Sequence, residues 1–262
     1  MNKGEGPPFP PPFAGSGRVP ERGPQPHRSQ ARGGPLQGGR SSDLTLPARG
    51  LLFDNDGVLA DSEASVDSSW RRWAVEHDLD PAEVMAAVPG RRAADTVALF
   101  VPPADVDESV EKITRYELED VAGTTAVPGV LDLVPQLTGV RWAVVTSGVR
   151  ELATARLRAA GVPLPEMLVT AEDVSAGKPD PEGYATAADR LGLAAADVLV
   201  LEDSVSGIAA GQAAGCRVVG VGRDALRTTA DVVVRDLTGA RWTGAGLLLP
   251  AAALLRAVGA AG

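Results

Sequence analysis

The stretch Leu51-Leu52-Phe53-Asp54-Asn55-Asp56-Gly57 runs three apolar residues straight into two carboxylates and a glycine. Consecutive apolar side chains leave no polar face, which predicts a short strand buried on both sides, as in a parallel sheet. Gly57 lets the chain turn at once, so Asp54 and Asp56 can face one cavity at the strand's carboxyl end. Strand alternation sends the intervening Asn55 the other way.

The same arrangement recurs downstream. Residues 141–145 predict a strand that ends at Thr146-Ser147-Gly148, and residues 198–201 predict one that ends at Glu202-Asp203. Further strands are expected over 167–169, 217–221 and 231–234, and helical patterns over 128–137, 151–160, 181–191 and 206–215. Strands alternating with helices imply an α/β fold, a doubly wound parallel sheet. Such sheets place their ligand crevice at the carboxyl ends of the strands, where all these polar groups lie.

Between Ser62 and residue 125 the alternation stops. Val66, Trp70 and Trp73 are spaced as one face of a helix over 62–77. Residues 81–122 read as shorter helices broken near Pro89-Gly90 and Pro102-Pro103. The expected organisation is therefore a disordered Pro/Gly/Arg-rich extension over 1–47, an α/β core over 48–63 and 126–262, and an inserted helical cap over 64–125. The apolar run over 246–258, interrupted by Pro250 and Arg256, is expected to close the core as a helix. It is too short for a membrane span.

Composition narrows the chemistry. Hydrophobic residues make up 44% of the 262, ample for a core. One cysteine, Cys216, and two histidines, His27 and His77, leave no usual zinc site and suit a reducing cytoplasm. The total charge is −9, yet residues 1–47 carry six basic against three acidic groups, so the body is more acidic still. An acidic body argues against a broad nucleic-acid surface and leaves room for a small phosphorylated substrate, with a monomer sufficient to bind it. Only three lysines occur, Lys3, Lys112 and Lys178, and the last stands in Gly177-Lys178-Pro179-Asp180-Pro181 before a helix. A compact ammonium suits a site shared by phosphate and carboxylates. Four acids, Asp54, Asp56, Glu202 and Asp203, would repel unless a cation lay among them, and a hard oxygen set favours Mg²⁺.

These four segments, in this order, resemble the four motifs of the haloacid dehalogenase-like hydrolases. Phe53-Asp54-Asn55-Asp56-Gly57-Val58-Leu59 is similar to the first, Val144-Val145-Thr146-Ser147-Gly148 to the second, Gly177-Lys178-Pro179-Asp180-Pro181 to the third and Leu201-Glu202-Asp203-Ser204 to the fourth. The resemblance implies that Asp54 is a nucleophile and Asp56 a general acid and base. It implies that Thr146, Ser147 and Lys178 hold phosphoryl oxygens, and that Asp54, Asp56, Glu202 and Asp203 bind Mg²⁺. An acid at position 56 favours phosphoryl transfer over dehalogenation, and Lys112 sits in an ordinary charged helix pattern rather than as an imine-forming cap lysine.

Within that family the loop Pro89-Gly90-Arg91-Arg92-Ala93-Ala94-Asp95-Thr96 looks like the substrate loop of sugar- and polyol-phosphate phosphatases, with Arg91, Arg92 and Asp95 as specificity residues. The alternative is a hexose-phosphate mutase of the β-phosphoglucomutase type. That enzyme uses a hinge histidine twelve residues after the nucleophile, where this chain has Val66. Asp56 is thus expected to have no hinge partner restraining it, which points to hydrolysis.

Overall fold

The structure is a computed structural model, and it describes residues 42–258. Strand β1 (Leu44–Pro47) leads into β2 (Gly50–Phe53), and β3 (Ala60–Asp61) follows the acidic turn. Four helices come next: α1 (Glu63–Glu76), α2 (Pro81–Ala87), α3 (Ala93–Val97) and α4 (Val106–Glu119). The chain returns through β4 (Thr125–Ala126), which pairs antiparallel with β3. After α5 (Val130–Leu133) come β5 (Arg141–Val145), α6 (Arg150–Ala159), β6 (Leu168–Val169) and α7 (Glu182–Arg190). Then follow β7 (Val198–Glu202), α8 (Val205–Ala213), β8 (Arg217–Val221) and β9 (Val232–Val234). The chain closes with β10 (Arg241–Trp242), β11 (Gly246–Leu249) and β12 (Leu254–Ala257).

Seven strands form the main sheet in the order β12-β9-β8-β7-β2-β5-β6, every pair parallel except β12 with β9. The expected doubly wound α/β architecture is what is found. β2 is central, with Phe53 opposite both Val144 and Leu201, so β2, β5 and β7 end at one level. All four β2 side chains are buried, as a strand covered on both faces requires. One face packs Leu51, Phe53, Leu133 and Leu157, and the other packs Leu52, Val145, Tyr184 and Val200.

The helical segment between β3 and β4 has its own apolar core of Trp70, Trp73, Val84, Val97 and Ile113. Val66 packs against that cluster. His77 Nδ1 donates to Trp73's carbonyl, 2.8 Å away, and its ring lies against the Trp73 indole.

Both ends of the chain differ from expectation. Residues 246–258 are two strands rather than a closing helix. Leu247 and Leu249 are buried while Leu248 is only partly so, a two-residue period that Gly246 and Pro250 bound at either end. β12 then pairs with β9, and the Arg256 guanidinium donates to the carbonyls of Leu226, Thr228 and Ala230. The extension is also shorter than 47 residues. Leu44 to Pro47 pair with β11, and Leu44 and Leu46 lean on the core while Thr45 is exposed. The alternation Leu44-Thr45-Leu46 is too brief to stand out beside a Pro-rich segment. The rest of the expected extension, residues 1–41, lies outside the described residues.

Candidate active site

The strand-end register gathers the expected groups. Asp54 follows β2 directly, and its backbone N–H donates to Leu201 of β7 at 3.0 Å. Its carboxylate accepts a 2.7 Å hydrogen bond from Lys178 Nζ, which donates equally to Glu202 at the end of β7 and at 3.3 Å to the Val145 carbonyl. Asp54, Lys178 and Glu202 are all buried. Gly57, at φ +75°, brings the acidic turn against Asp203, where any Cβ would strike that carboxylate.

Glu202 is fully buried and saturated with donors. Oε1 accepts from Lys178 and from the Tyr184 hydroxyl at 3.1 Å. Oε2 accepts from the backbone N–H of Ser204 at 2.8 Å and its hydroxyl at 3.0 Å. Ser204 also caps α8 through the Gly207 N–H.

Oxygens of Asp54, Glu202 and Asp203 lie within 4.8 Å of one another, against the single ammonium of Lys178. Burial pushes the Asp54 carboxyl up to about 7, with Lys178 pulling the other way and Glu202 adding to the rise. Burial raises Asp203 well above the carboxylate range, and Glu202 and Asp54 reinforce it. Burial also opposes the Lys178 charge, but Asp54 and Glu202 outweigh it and hold the ammonium protonated. Three crowded carboxylates with one counter-charge, and no sulfur or imidazole among them, fit a hard divalent cation.

Thr146, at the end of β5, is buried and accepts a 3.0 Å hydrogen bond from the Gly148 N–H. Ser147 instead reaches the helical layer: its hydroxyl donates to the Gly90 carbonyl at 2.8 Å. Ser206 donates to the neighbouring Pro89 carbonyl at 3.3 Å. Arg92 forks onto Asp95 at 2.7 and 2.8 Å and donates onward to the Ser175 carbonyl at 3.1 Å. That pair lies over Gly177, next to Lys178. Arg92 and Asp95 therefore bind each other and the core, while Arg91 is exposed to solvent. Lys112 pairs with Glu76 at 2.6 Å, an ordinary helix ion pair.

Asp56 does have restraining partners, contrary to expectation. Its Oδ1 accepts from the Ser62 hydroxyl at 2.7 Å and lies 2.9 Å from Arg156 Nη1. Arg156 stands on α6 with only 4% of its side chain exposed, and its Nη2 is 3.3 Å from Glu117 of α4. The available signal was a charge on an apolar face: Arg156 shares a helix stripe with Leu152, Ala153 and Leu157. Distance in sequence concealed its partner.

A family model described as haloacid dehalogenase-like hydrolase matches residues 48–215. The chain belongs to that family. Among relatives, Hexitol phosphatase A of Escherichia coli (strain K12) is 41% identical over 181 residues, covering 67% of this chain and 84% of that protein. Validoxylamine A 7'-phosphate phosphatase of Streptomyces hygroscopicus subsp. limoneus is 39% identical, covering 73% and 95%. A HAD-family hydrolase of Deinococcus radiodurans R1, solved with bound phosphate and sodium, is 33% identical with a TM-score of 0.54, covering 74% of this chain and 92% of that one. This haloacid dehalogenase-like chain carries its acidic turn at the end of the central strand.

Proposed function

We propose that the protein is a Mg²⁺-dependent phosphatase that hydrolyses a small phosphorylated sugar or polyol through a phosphoaspartate on Asp54. The observation that carries this reading is the Lys178 ammonium fixed by Glu202 directly against Asp54. A nucleophilic oxygen and a cation that can meet phosphoryl oxygens then share one buried pocket. The relatives support the substrate class, one being named for hexitols and another for a phosphorylated validoxylamine.

Asp54 attacks phosphorus, an Asp54–phosphorus bond forms and the ester P–O bond breaks. Asp56 gives its proton to the departing oxygen. In the second half Asp56 takes a proton from water, the water oxygen attacks phosphorus and the Asp54–phosphorus bond breaks, returning the carboxylate. Thr146 and Lys178 hold the phosphoryl oxygens throughout, while the Ser147 hydroxyl stays on the Gly90 carbonyl. Asp54, Asp203 and the backbone carbonyl of Asp56 would hold Mg²⁺, which when bound offsets carboxylate repulsion and polarises the phosphoryl group. Glu202, with both oxygens engaged, serves to position Lys178, and its charge would add to what draws the cation in. The helical cap, joined to the core by Ser147–Gly90 and Arg92–Ser175, excludes bulk water from the reacting atoms.

The test is turnover of sugar, polyol and nucleotide monophosphates with and without Mg²⁺. A second arm supplies hexose 1-phosphate with a trace of hexose bisphosphate and follows both free phosphate and hexose 6-phosphate. Mg²⁺-dependent release of phosphate from sugar or polyol esters is expected. Conversion mainly to hexose 6-phosphate would replace this reading with the mutase.

A further inference from the structure

Arg156 is a buried guanidinium that the reaction above does not use, and it joins two parts of the fold. It projects from α6 of the core. One nitrogen meets Asp56, next to the nucleophile, and another meets Glu117, near the end of α4 in the helical layer. Glu117 is itself buried and tied to that layer, because Trp70 Nε1 donates to its Oε1 at 3.2 Å and Ser65 bonds its carbonyl.

The cluster is short of positive charge and has donors to spare. Two carboxylates share one guanidinium, and neither Nε nor Nη2 of Arg156 makes a well-formed hydrogen bond. Asp56 and Glu117 compete for the same cation, and Glu117, the more deeply buried of the two, is left the less compensated when it loses its share. Spare donors make the exchange easy, since one carboxylate can strengthen its hold while the other lets go. The Asp56 oxygen that meets Arg156 is also the one that takes the Ser62 hydroxyl, so it already has two partners at the hinge. Its other oxygen accepts only from Asn55 Nδ2, at 3.3 Å, so Ser62 and Arg156 are the contacts that hold the carboxyl group at the hinge.

The geometry points to Arg156 as a positioning residue that stores the Asp56 carboxyl group at the hinge and surrenders it to the leaving-group oxygen when Glu117 takes the guanidinium. The device rests on the phosphatase reading and deepens it. It involves no bond making or breaking, only a change of hydrogen-bond partners. It makes the acid step answer to the position of α4, whose path back to the core runs through β4 beside β3.

The experiment compares Glu117→Gln with wild type in the full chain with Mg²⁺, using two esters. One is the alkyl phosphate that wild type turns over best, whose leaving oxygen needs a proton. The other is p-nitrophenyl phosphate, whose leaving group departs without one. Removing the Glu117 charge leaves Arg156 to Asp56 alone, while the amide still accepts from Trp70. kcat/KM for the alkyl ester should fall on the order of tenfold or more, a fraction of what general acid catalysis contributes, with the aryl ester changing about twofold at most. Adding Arg156→Gln to that variant frees Asp56 and should restore part of the alkyl rate. Equal losses on both esters, or no loss on either, overturn the storage role, and the single variant decides this if the double one fails to fold. Wild type that turns over neither ester overturns the phosphatase reading itself, a separate result.

Discussion

Lys178 stands midway between Asp54 and Glu202, with Nζ 2.7 Å from both Asp54 Oδ1 and Glu202 Oε1. Each carboxylate depends on that ammonium for its place in a buried site. Lys178→Met should therefore abolish turnover and also destabilise the metal-free chain by about 3–5 kcal/mol, the usual result of orphaning one side of a buried ion pair. Chemical denaturation in EDTA measures it. A stability unchanged from wild type would mean that Asp54 and Glu202 find other compensation.

Asp54→Asn should behave in the opposite way toward stability. Burial raises the Asp54 pKa to about 7, far above the ~3.9 of an unfolded chain, so the folded state binds the proton more tightly. Stability of the metal-free wild type must then fall as pH rises through that window, and Asp203 shifts in the same direction. The asparagine variant loses turnover but also loses this penalty. In EDTA it should melt higher than wild type at pH 8, with the gap closing towards pH 4. A variant that melts lower at both pH values would contradict the crowding of carboxylates. Added Mg²⁺ should stabilise wild type more than the variant.

β1 sets where the chain can be shortened. Its four residues pair with β11, and Ala48 donates to the Ala245 carbonyl just beyond. Removal of residues 1–41 should leave turnover unchanged. Removal of residues 1–47 exposes the edge of β11 and uncovers core against which Leu44 and Leu46 pack, lowering Tm by several degrees. Melting curves of the two truncations side by side decide the matter, and equal Tm values would show that β1 contributes nothing.

The central sheet was legible because its strands are continuous apolar runs that stop at polar residues: Phe53 before Asp54, Val145 before Thr146, Leu201 before Glu202. Burial on both faces writes itself into local sequence. The terminal strands were not, because β1 and β11 are short, and a mixed apolar run such as 246–258 has no period strong enough to exclude a helix. At the site, groups at strand ends could be collected from topology alone, as Asp54, Glu202 and Asp203 were, and Lys178 stood out as one of three lysines, set just before a helix. Arg156 and Glu117 could not, because they lie within helices and meet only through the packing of α4 on α6. Their charges on otherwise apolar faces were visible, but a pairing 39 residues apart is fixed by tertiary structure.

Arg92 and Arg91 stand side by side but should respond differently to removal. Arg92 spends its guanidinium on Asp95 and on the Ser175 carbonyl of the core, beside the loop that carries Lys178. It thus holds the helical cap onto the site, and its contribution is made before chemistry begins. Arg91 is exposed to solvent, and its proposed task is to meet the substrate. Arg92→Ala removes charge-assisted hydrogen bonds worth roughly 1.5–3 kcal/mol when well formed, less here because Asp95 is partly solvated. Turnover should remain Mg²⁺-dependent with the same metal midpoint, while KM rises about tenfold across all esters, since closure serves every substrate alike. Arg91→Ala should instead alter the ranking of sugar and polyol esters and leave p-nitrophenyl phosphate nearly untouched. The two profiles are read from kcat and KM on a common substrate panel. Matching profiles would assign both arginines to the same task and remove the distinction between latch and substrate contact.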